Sequence, residues 1–89
     1  MAVYSVSYDL DNPNIKSRLV REVLQTFPSS SQVMEATWWV VSGLPVSQVL
    51  GKFKPVLDPK DKVFISRIVP NEYVGRLTDK QWEWLKENA

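Results

Sequence analysis

Residues 3–24 read VYSVSYDLDNPNIKSRLVREVL, and the spacing of their apolar residues changes halfway along. Residues 3–9 alternate with a period of two, which predicts a β-strand. Asn12 and Pro13 are typical of a helix cap and a first helical position. Apolar residues then return at helical spacing and predict an amphipathic helix. The apolar stripe of this helix would consist of Ile15, Leu19, Val23, Leu24 and Phe27.

The middle of the chain continues the alternation of strands and helices. The β-branched and aromatic run over 37–41 predicts a strand, and 32–35 predicts a preceding strand joined to it by a tight connection or a bulge. A second helix would begin at Pro45 and end near Pro55. The next strand is predicted over 62–69, with Phe64, Ser66 and Ile68 on one face and Val63, Ile65 and Arg67 on the other.

The C-terminal part is predicted to add one strand and one helix. Residues 72–77 have the composition of a short edge strand, with Gly75 as its weak point. Thr78 and Gln81 have the spacing of a capping box, so a helix should follow. The order β-α-β-β-α-β predicts an α+β, ferredoxin-like antiparallel sheet with two helices on one face. Another α+β sandwich of similar composition is the alternative.

The length and composition limit the classes of protein that this chain can belong to. With 89 residues it forms one domain, residues 1–89, with a core over 1–69 and a C-terminal strand and helix over 70–89. It contains no cysteine and no histidine, which excludes disulfides, Ser-His-Asp or Cys-His catalysis and a typical zinc site. Any metal would be a hard cation held by carboxylates, such as Mg²⁺ or Mn²⁺.

Charge and hydropathy carry further expectations about location and partners. The formal net charge is +1, which gives no strong attraction to nucleic acid. No basic region followed by a long apolar run marks a signal peptide, and no apolar stretch approaches the roughly 20 residues that span a bilayer. We therefore expect a soluble, cytoplasmic protein with no membrane partner.

Three stretches together resemble a known family: YSVSYDL at 4–10, EATWWVV at 35–41 and LDPKDKVFISRI at 57–68. They resemble the small CRISPR-associated Cas-two family, the structural subunit of the spacer-integration complex. They resemble the SinR-like relatives of that family more closely. Those relatives share a tryptophan-bearing strand after Ser or Thr, a Leu-Asp-x-x-Asp turn and a tryptophan-containing C-terminal helix, which here correspond to Thr37-Trp38, 57–61 and 82–85.

This resemblance implies a ferredoxin-like homodimer and a metal-dependent nuclease site. In the family, the aspartate that ends the first strand faces its partner across the dimer axis, and here that aspartate is Asp9. Members with nuclease activity usually carry an arginine and a Ser-Val-Phe type strand in the middle region. This chain has QVMEATW at 32–38, without an arginine. The simpler role for Asp9 or Asp11 is to begin the turn before the helix and favour its N-terminal dipole.

Two function hypotheses follow. The first is a non-catalytic homodimeric adaptor or regulator, which holds a protein or nucleic-acid partner. The second is a metal-dependent endonuclease acting on RNA or DNA, with Asp9 as the catalytic and metal-binding residue and Mg²⁺ or Mn²⁺ as the cofactor. The absence of an arginine from the middle region, the absence of histidine and the near-neutral charge favour the first hypothesis.

Two further sets of residues are candidates for binding. A loose basic cluster would contact a phosphate backbone, although the neighbouring Asp58 and Asp61 dilute it and a solvated surface is the alternative. This cluster comprises Lys52, Lys54, Lys60, Lys62 and Arg67. The predicted dimer interface lies in the C-terminal segment and comprises Glu72, Tyr73, Val74 and Trp82. Trp38 and Trp39 are adjacent in a strand, so one should enter the core and the other needs separate cover.

Overall fold

The computed structural model describes residues 1–89 and contains a four-stranded antiparallel sheet and three α-helices. The α+β class and the chain order β-α-β-β-α-β are therefore confirmed. The elements are β1 Ala2–Asp9, α1 Pro13–Leu24, β2 Ser29–Met34, β3 Thr37–Ser42, α2 Val46–Phe53, β4 Lys62–Ile68 and α3 Asp79–Asn88. A short 3₁₀ turn over Lys54–Val56 follows α2.

The strands lie in the order β2-β3-β1-β4. β1 pairs antiparallel with both β3 and β4, and β2 pairs antiparallel with β3. Each of the helices α1 and α2 therefore joins two parallel strands that have one antiparallel strand between them. This arrangement leaves β2 and β4 as the two edges of the sheet and places the end of β1, at Asp9, beside the start of β4, at Lys62.

The first face of the sheet is covered by α1 and α2. The buried residues between these layers are Tyr4, Val6, Leu10, Val20, Leu24, Phe27, Trp38, Val40, Val49 and Phe53. The rings of Phe27 and Phe53 stack with their centroids 6.1 Å apart, so the segment just after α1 packs against the end of α2. The Tyr4 hydroxyl donates a hydrogen bond of 2.6 Å to the Leu44 carbonyl, so the one polar atom of that buried ring is satisfied.

The predicted apolar stripe of α1 is wrong in its first two turns. Ile15 is 65% exposed and Leu19 is 38% exposed, whereas Val20 is buried. The inward side of the helix is centred on Val20 and Leu24, which lie one turn apart. Lys16 lies one turn before Val20 and is therefore turned inward as well, a consequence that matters for the polar cluster described below.

The second face of the sheet is covered by α3, but only in part. The buried cluster here comprises Val3, Val33, Trp39, Val41 and Leu85, with Ile68, Leu77, Trp82 and Trp84 packed against it. The rings of Trp39 and Trp84 lie 6.0 Å apart. The two adjacent tryptophans therefore enter different cores, with Trp38 under α1 and α2 and Trp39 under the C-terminal helix.

The predicted strand over Glu72–Leu77 is wrong. After β4 the chain turns at Asn71, whose φ is 67°, and the Glu72 N–H donates to the Val69 carbonyl. Asparagine tolerates this left-handed conformation better than most residues, and the turn takes the chain away from the β4 edge. Residues 72–77 then cross the second face without regular structure until α3 begins.

Other boundaries differ from the sequence prediction in smaller ways. β2 runs over Ser29–Met34 rather than over 32–35, and a tight turn at 35–36 connects it to β3, which is one of the two predicted alternatives. The register between β2 and β3 also shifts between Gln32 and Met34. The Asn12 side chain makes no cap hydrogen bond, although Pro13 is the first helical residue as predicted. The capping box between Thr78 and Gln81 is confirmed in both directions.

Candidate functional site

The part of the second face that α3 leaves uncovered carries mainly polar side chains and two large apolar ones. α3 packs over the cluster that contains Val3 and Val41. The remainder of this face, which we call the open face, comprises Ser5, Ser7, Asp9, Met34, Thr37, Lys62, Phe64 and Ser66. Phe64 is 72% exposed and Met34 is 58% exposed. They stand on the two edge strands, with Thr37 and Ser7 between them in the register.

The centre of the open face carries small hydroxyl side chains. Ser7 lies directly between Thr37 on β3 and Phe64 on β4, and the hydroxyls of Ser7 and Thr37 share a hydrogen bond of 3.0 Å. One pair further along, Ser5 lies opposite Ser66. Because these side chains are short, the Phe64 ring stands out above its neighbours on β1.

A cavity of about 270 Å³ adjoins the open face. Its floor is the sheet, and its walls are α3 and the irregular segment that precedes α3. The lining residues are Ser5, Met34, Trp39, Ile68, Tyr73, Val74, Gly75, Arg76, Leu77, Trp82 and Leu85. The rings of Tyr73 and Trp82 stack at 6.3 Å and form one wall. Arg76 is the only charged residue of the lining, so the cavity is apolar with one positive charge at its wall.

Asp9 lies at the rim of the open face. It is exposed, lies opposite Lys62 in the strand register, and forms no ion pair within the chain. No group of three or more acidic, histidine or cysteine side chains in the chain is arranged to hold a metal ion. A hard cation at Asp9 would therefore need further ligands from water, a substrate or a second copy. The catalytic and metal-binding roles of Asp9 stay predictions.

The predicted basic cluster is distributed over several surfaces. Lys62 belongs to the open face, whereas Arg67, five residues further along the same strand, points to the other face. The Lys52 ammonium lies 4.4 Å from the centroid of the Phe27 ring, on the helical side of the molecule. Lys54 and Lys60 are exposed in the connection between α2 and β4. Binding of nucleic acid by these residues stays a prediction.

The predicted interface residues lie beside the open face. Tyr73, Val74 and Trp82 line the cavity, and Val74 is 98% exposed. Glu72 lies in the turn that leads into this segment. The sequence alone did not identify Phe64 and Met34, although the period-two pattern had placed Phe64 and Ser66 on one face. Their exposure depends on how far α3 reaches across the sheet, which no local pattern encodes.

The sequence analysis also did not identify a polar cluster near the start of α1. The Lys16 ammonium forms ion pairs with Asp58 and Asp61, and the Asp61 side chain is fully inaccessible to solvent. Asp61 also accepts hydrogen bonds of 2.9 Å from the backbone N–H groups of Asp11 and Asp58. The cluster thus joins α1, the loop after β1 and the turn before β4.

These contacts shift the pKa values of all three side chains. The hydrogen bond from Lys16, assisted by the N–H of Asp58, lowers the pKa of Asp61 from 3.8 to about 2. The bond from Lys16 and the N–H of Lys60 also lower the pKa of Asp58. Both carboxylates raise the pKa of Lys16. All three groups are held in their charged forms, so the cluster is a structural connection and not an acid–base pair poised for catalysis.

No protein-family model matches this chain, and no curated protein matches its sequence. None of the helices has the length and apolar character needed to cross a membrane.

Proposed function

We propose that the protein is a non-catalytic homodimeric adaptor or regulatory protein of the cytoplasm, similar in role to the structural subunit of the CRISPR spacer-integration complex. The strand order β2-β3-β1-β4, with α1 and α2 on one face, supports a ferredoxin-like fold. The resemblance in the stretches 4–10, 35–41 and 57–68 supports the family role.

The observation that carries this proposal is the open face. Phe64 and Met34 are held exposed on a rigid sheet, next to an uncovered apolar cavity. A single chain of this size gains little by exposing such side chains, because burial of each would contribute about 1.5–3 kcal/mol. A partner that covers the open face would recover that contribution, and the β4 edge beside it is unpaired as well.

We expect the purified protein to be a dimer at micromolar concentration. Static light scattering coupled to gel filtration should give twice the chain mass of 10.3 kDa. A mass of one chain throughout the micromolar range would contradict the homodimer.

A second candidate function is a metal-dependent endonuclease, and the position of Asp9 favours it. The carboxylate lies exposed at the end of β1, on the rim of the face that we assign to the dimer, and has no internal cation partner. Two copies of Asp9 with substrate oxygens and water would supply the oxygen ligands that Mg²⁺ or Mn²⁺ prefers. The bound ion would lower the pKa of a water molecule for attack on phosphorus.

If the protein cleaves RNA or DNA, the cleavage should require Mg²⁺ or Mn²⁺ and disappear in Asp9→Asn. Asparagine keeps the shape of the side chain and removes the charge that attracts a hard cation. Asp11→Asn is the matched control, because the Asp11 side chain forms no hydrogen bond and its N–H would still reach Asp61. Short single- and double-stranded RNA and DNA should be assayed with and without a chelator.

The assay separates the two candidate functions. Cleavage by the wild type and not by Asp9→Asn, with Asp11→Asn active, would support the nuclease. Equal cleavage by the wild type and Asp9→Asn would assign the activity to another site or to a contaminant. A dimer that cleaves no substrate under any metal condition would support the adaptor.

A further inference from the structure

The open face carries both a projecting side chain and a cavity that can receive one. Phe64 is the projecting side chain, with 72% of its surface exposed. The adjoining cavity has a volume of about 270 Å³ and is lined mainly by apolar side chains, including Trp39 and Trp82. A cavity of about 150 Å³ is sufficient for a benzene molecule, so this one can accept a phenyl ring.

Phe64 and the cavity are neighbours on the same face of one chain, so the ring of one copy can enter the cavity of a second copy that faces it. Phe64 lies opposite Ser7, and Ser5, the next residue of β1 on that face, lines the cavity about 7 Å away. Phe64 stands on the rigid β4 strand and points outward, so it does not fill the cavity of its own chain. In a face-to-face pair, a two-fold axis lying in the interface midway between ring and cavity inserts both rings at once.

The charges around the two features are also complementary. Arg76 is the only charged residue that lines the cavity, and it forms no ion pair within the chain. Asp9 is the acidic residue of the open face and belongs to the next register pair on that face beyond Phe64, on the side away from Ser5. In a face-to-face pair, the open face of each copy, which carries Asp9, lies against a cavity that carries the opposite charge of Arg76.

We propose that the cavity is the receptor for Phe64 of a second copy, in a symmetric dimer in which Asp9 of each chain pairs with Arg76 of the other. This inference rests on the homodimer of the proposed function and names the residues that make it. Aromatic side chains inserted into pockets are the usual centres of binding energy in such interfaces, and charge pairs at the rim fix orientation.

This dimer has a consequence for the nuclease hypothesis. The nuclease hypothesis needs the two copies of Asp9 to lie together and to share one metal ion. In the proposed dimer each Asp9 instead faces Arg76 of the other copy. The proposed pairing therefore assigns Asp9 a role in orienting the two copies and not in a shared metal site.

The test compares Phe64→Asp with Ile15→Asp. Both side chains are largely exposed, at 72% and 65%, but Ile15 lies on α1 at the other side of the molecule. Phe64→Asp should weaken dimerisation by on the order of 1,000-fold, because the ring is lost at two symmetric places. Ile15→Asp should leave the dissociation constant unchanged. Analytical ultracentrifugation gives the constants, and circular dichroism checks that both variants are folded.

A charge reversal tests the orientation independently. Asp9→Arg and Arg76→Asp should each weaken the dimer by about 3- to 10-fold, and the double variant should recover most of the affinity. A wild-type dimer that Phe64→Asp leaves intact would overturn the receptor role of the cavity and leave the homodimer standing. A wild-type monomer would overturn both. Failure of the double variant to recover affinity would overturn the pairing of Asp9 with Arg76.

Discussion

Removal of residues 72–89 is expected to unfold the protein or to lower its melting temperature by well over 10 °C. The deleted segment contains α3, which supplies Leu85, Trp82 and Trp84 to the second core. Without it, Trp39 would lose the cover that keeps it 8% exposed. Each large apolar side chain that loses its burial costs about 1.5–3 kcal/mol, and 1 kcal/mol corresponds to about 4–8 °C in a domain of this size.

A point variant makes the same test without shortening the chain. Leu85 is 1% exposed, so Leu85→Ala should destabilise the fold by about 2–5 kcal/mol. Glu83→Ala, two residues earlier on the exposed side of α3, is the matched control and should change stability little. Thermal and urea unfolding would measure both. An unchanged melting temperature in the truncated protein would mean that α3 is a dispensable tail.

The regular elements of this fold were predictable because their signals are local. The alternation over 3–9 placed Tyr4 and Val6 on one face, and the structure buries both beneath the helices. The spacing of Thr78 and Gln81 predicted the start of α3, because a capping box depends only on residues three apart. In each case the pattern that carries the signal lies within one element, so it can be recognised without knowledge of the packing.

The C-terminal segment was mispredicted because its conformation depends on the second face. Residues 72–77 have residue types that occur in strands, but a strand needs a neighbour, and the turn at Asn71 directs the chain away from β4. Gln81 illustrates the tertiary control. Its side-chain amide donates a hydrogen bond of 2.8 Å to the Val33 carbonyl of β2. This contact joins residues 48 apart in the sequence and helps to position α3 on the sheet. The cavity and the exposure of Phe64 follow from that position.

The cluster of Lys16, Asp58 and Asp61 was invisible for a different reason. A lysine on a helix and two aspartates in a turn are ordinary surface residues, and their sequence separations of 42 and 45 residues carry no signal. The rotation of α1 that exposes Ile15 is the same rotation that turns Lys16 inward. The resemblance had marked the Leu-Asp-x-x-Asp turn, and the structure shows a physical reason for its two aspartates.

Replacement of Asp61 by asparagine is expected to destabilise the protein strongly at neutral pH. The side chain is inaccessible to solvent and accepts hydrogen bonds from Lys16 and from the N–H groups of Asp11 and Asp58. Asparagine has one acceptor oxygen in place of two, and it leaves the partly buried Lys16 charge less well compensated. Loss of one partner of such a network usually costs more than the network itself contributes.

The same variant should change how stability depends on pH, and the sign follows from the lowered pKa of Asp61. The carboxyl titrates at about 2 in the folded protein and near 3.8 in the unfolded chain. Its contribution is therefore complete above pH 3.8 and is lost as the pH falls toward 2. The wild type should lose stability steeply between about pH 4 and pH 2, and Asp61→Asn should lose less over that interval.

Asp11→Asn, which keeps the Asp11 N–H, should follow the wild type. Urea unfolding at a series of pH values measures the effect. Parallel profiles for the wild type and Asp61→Asn would mean that the cluster does not hold the carboxylate in its charged form.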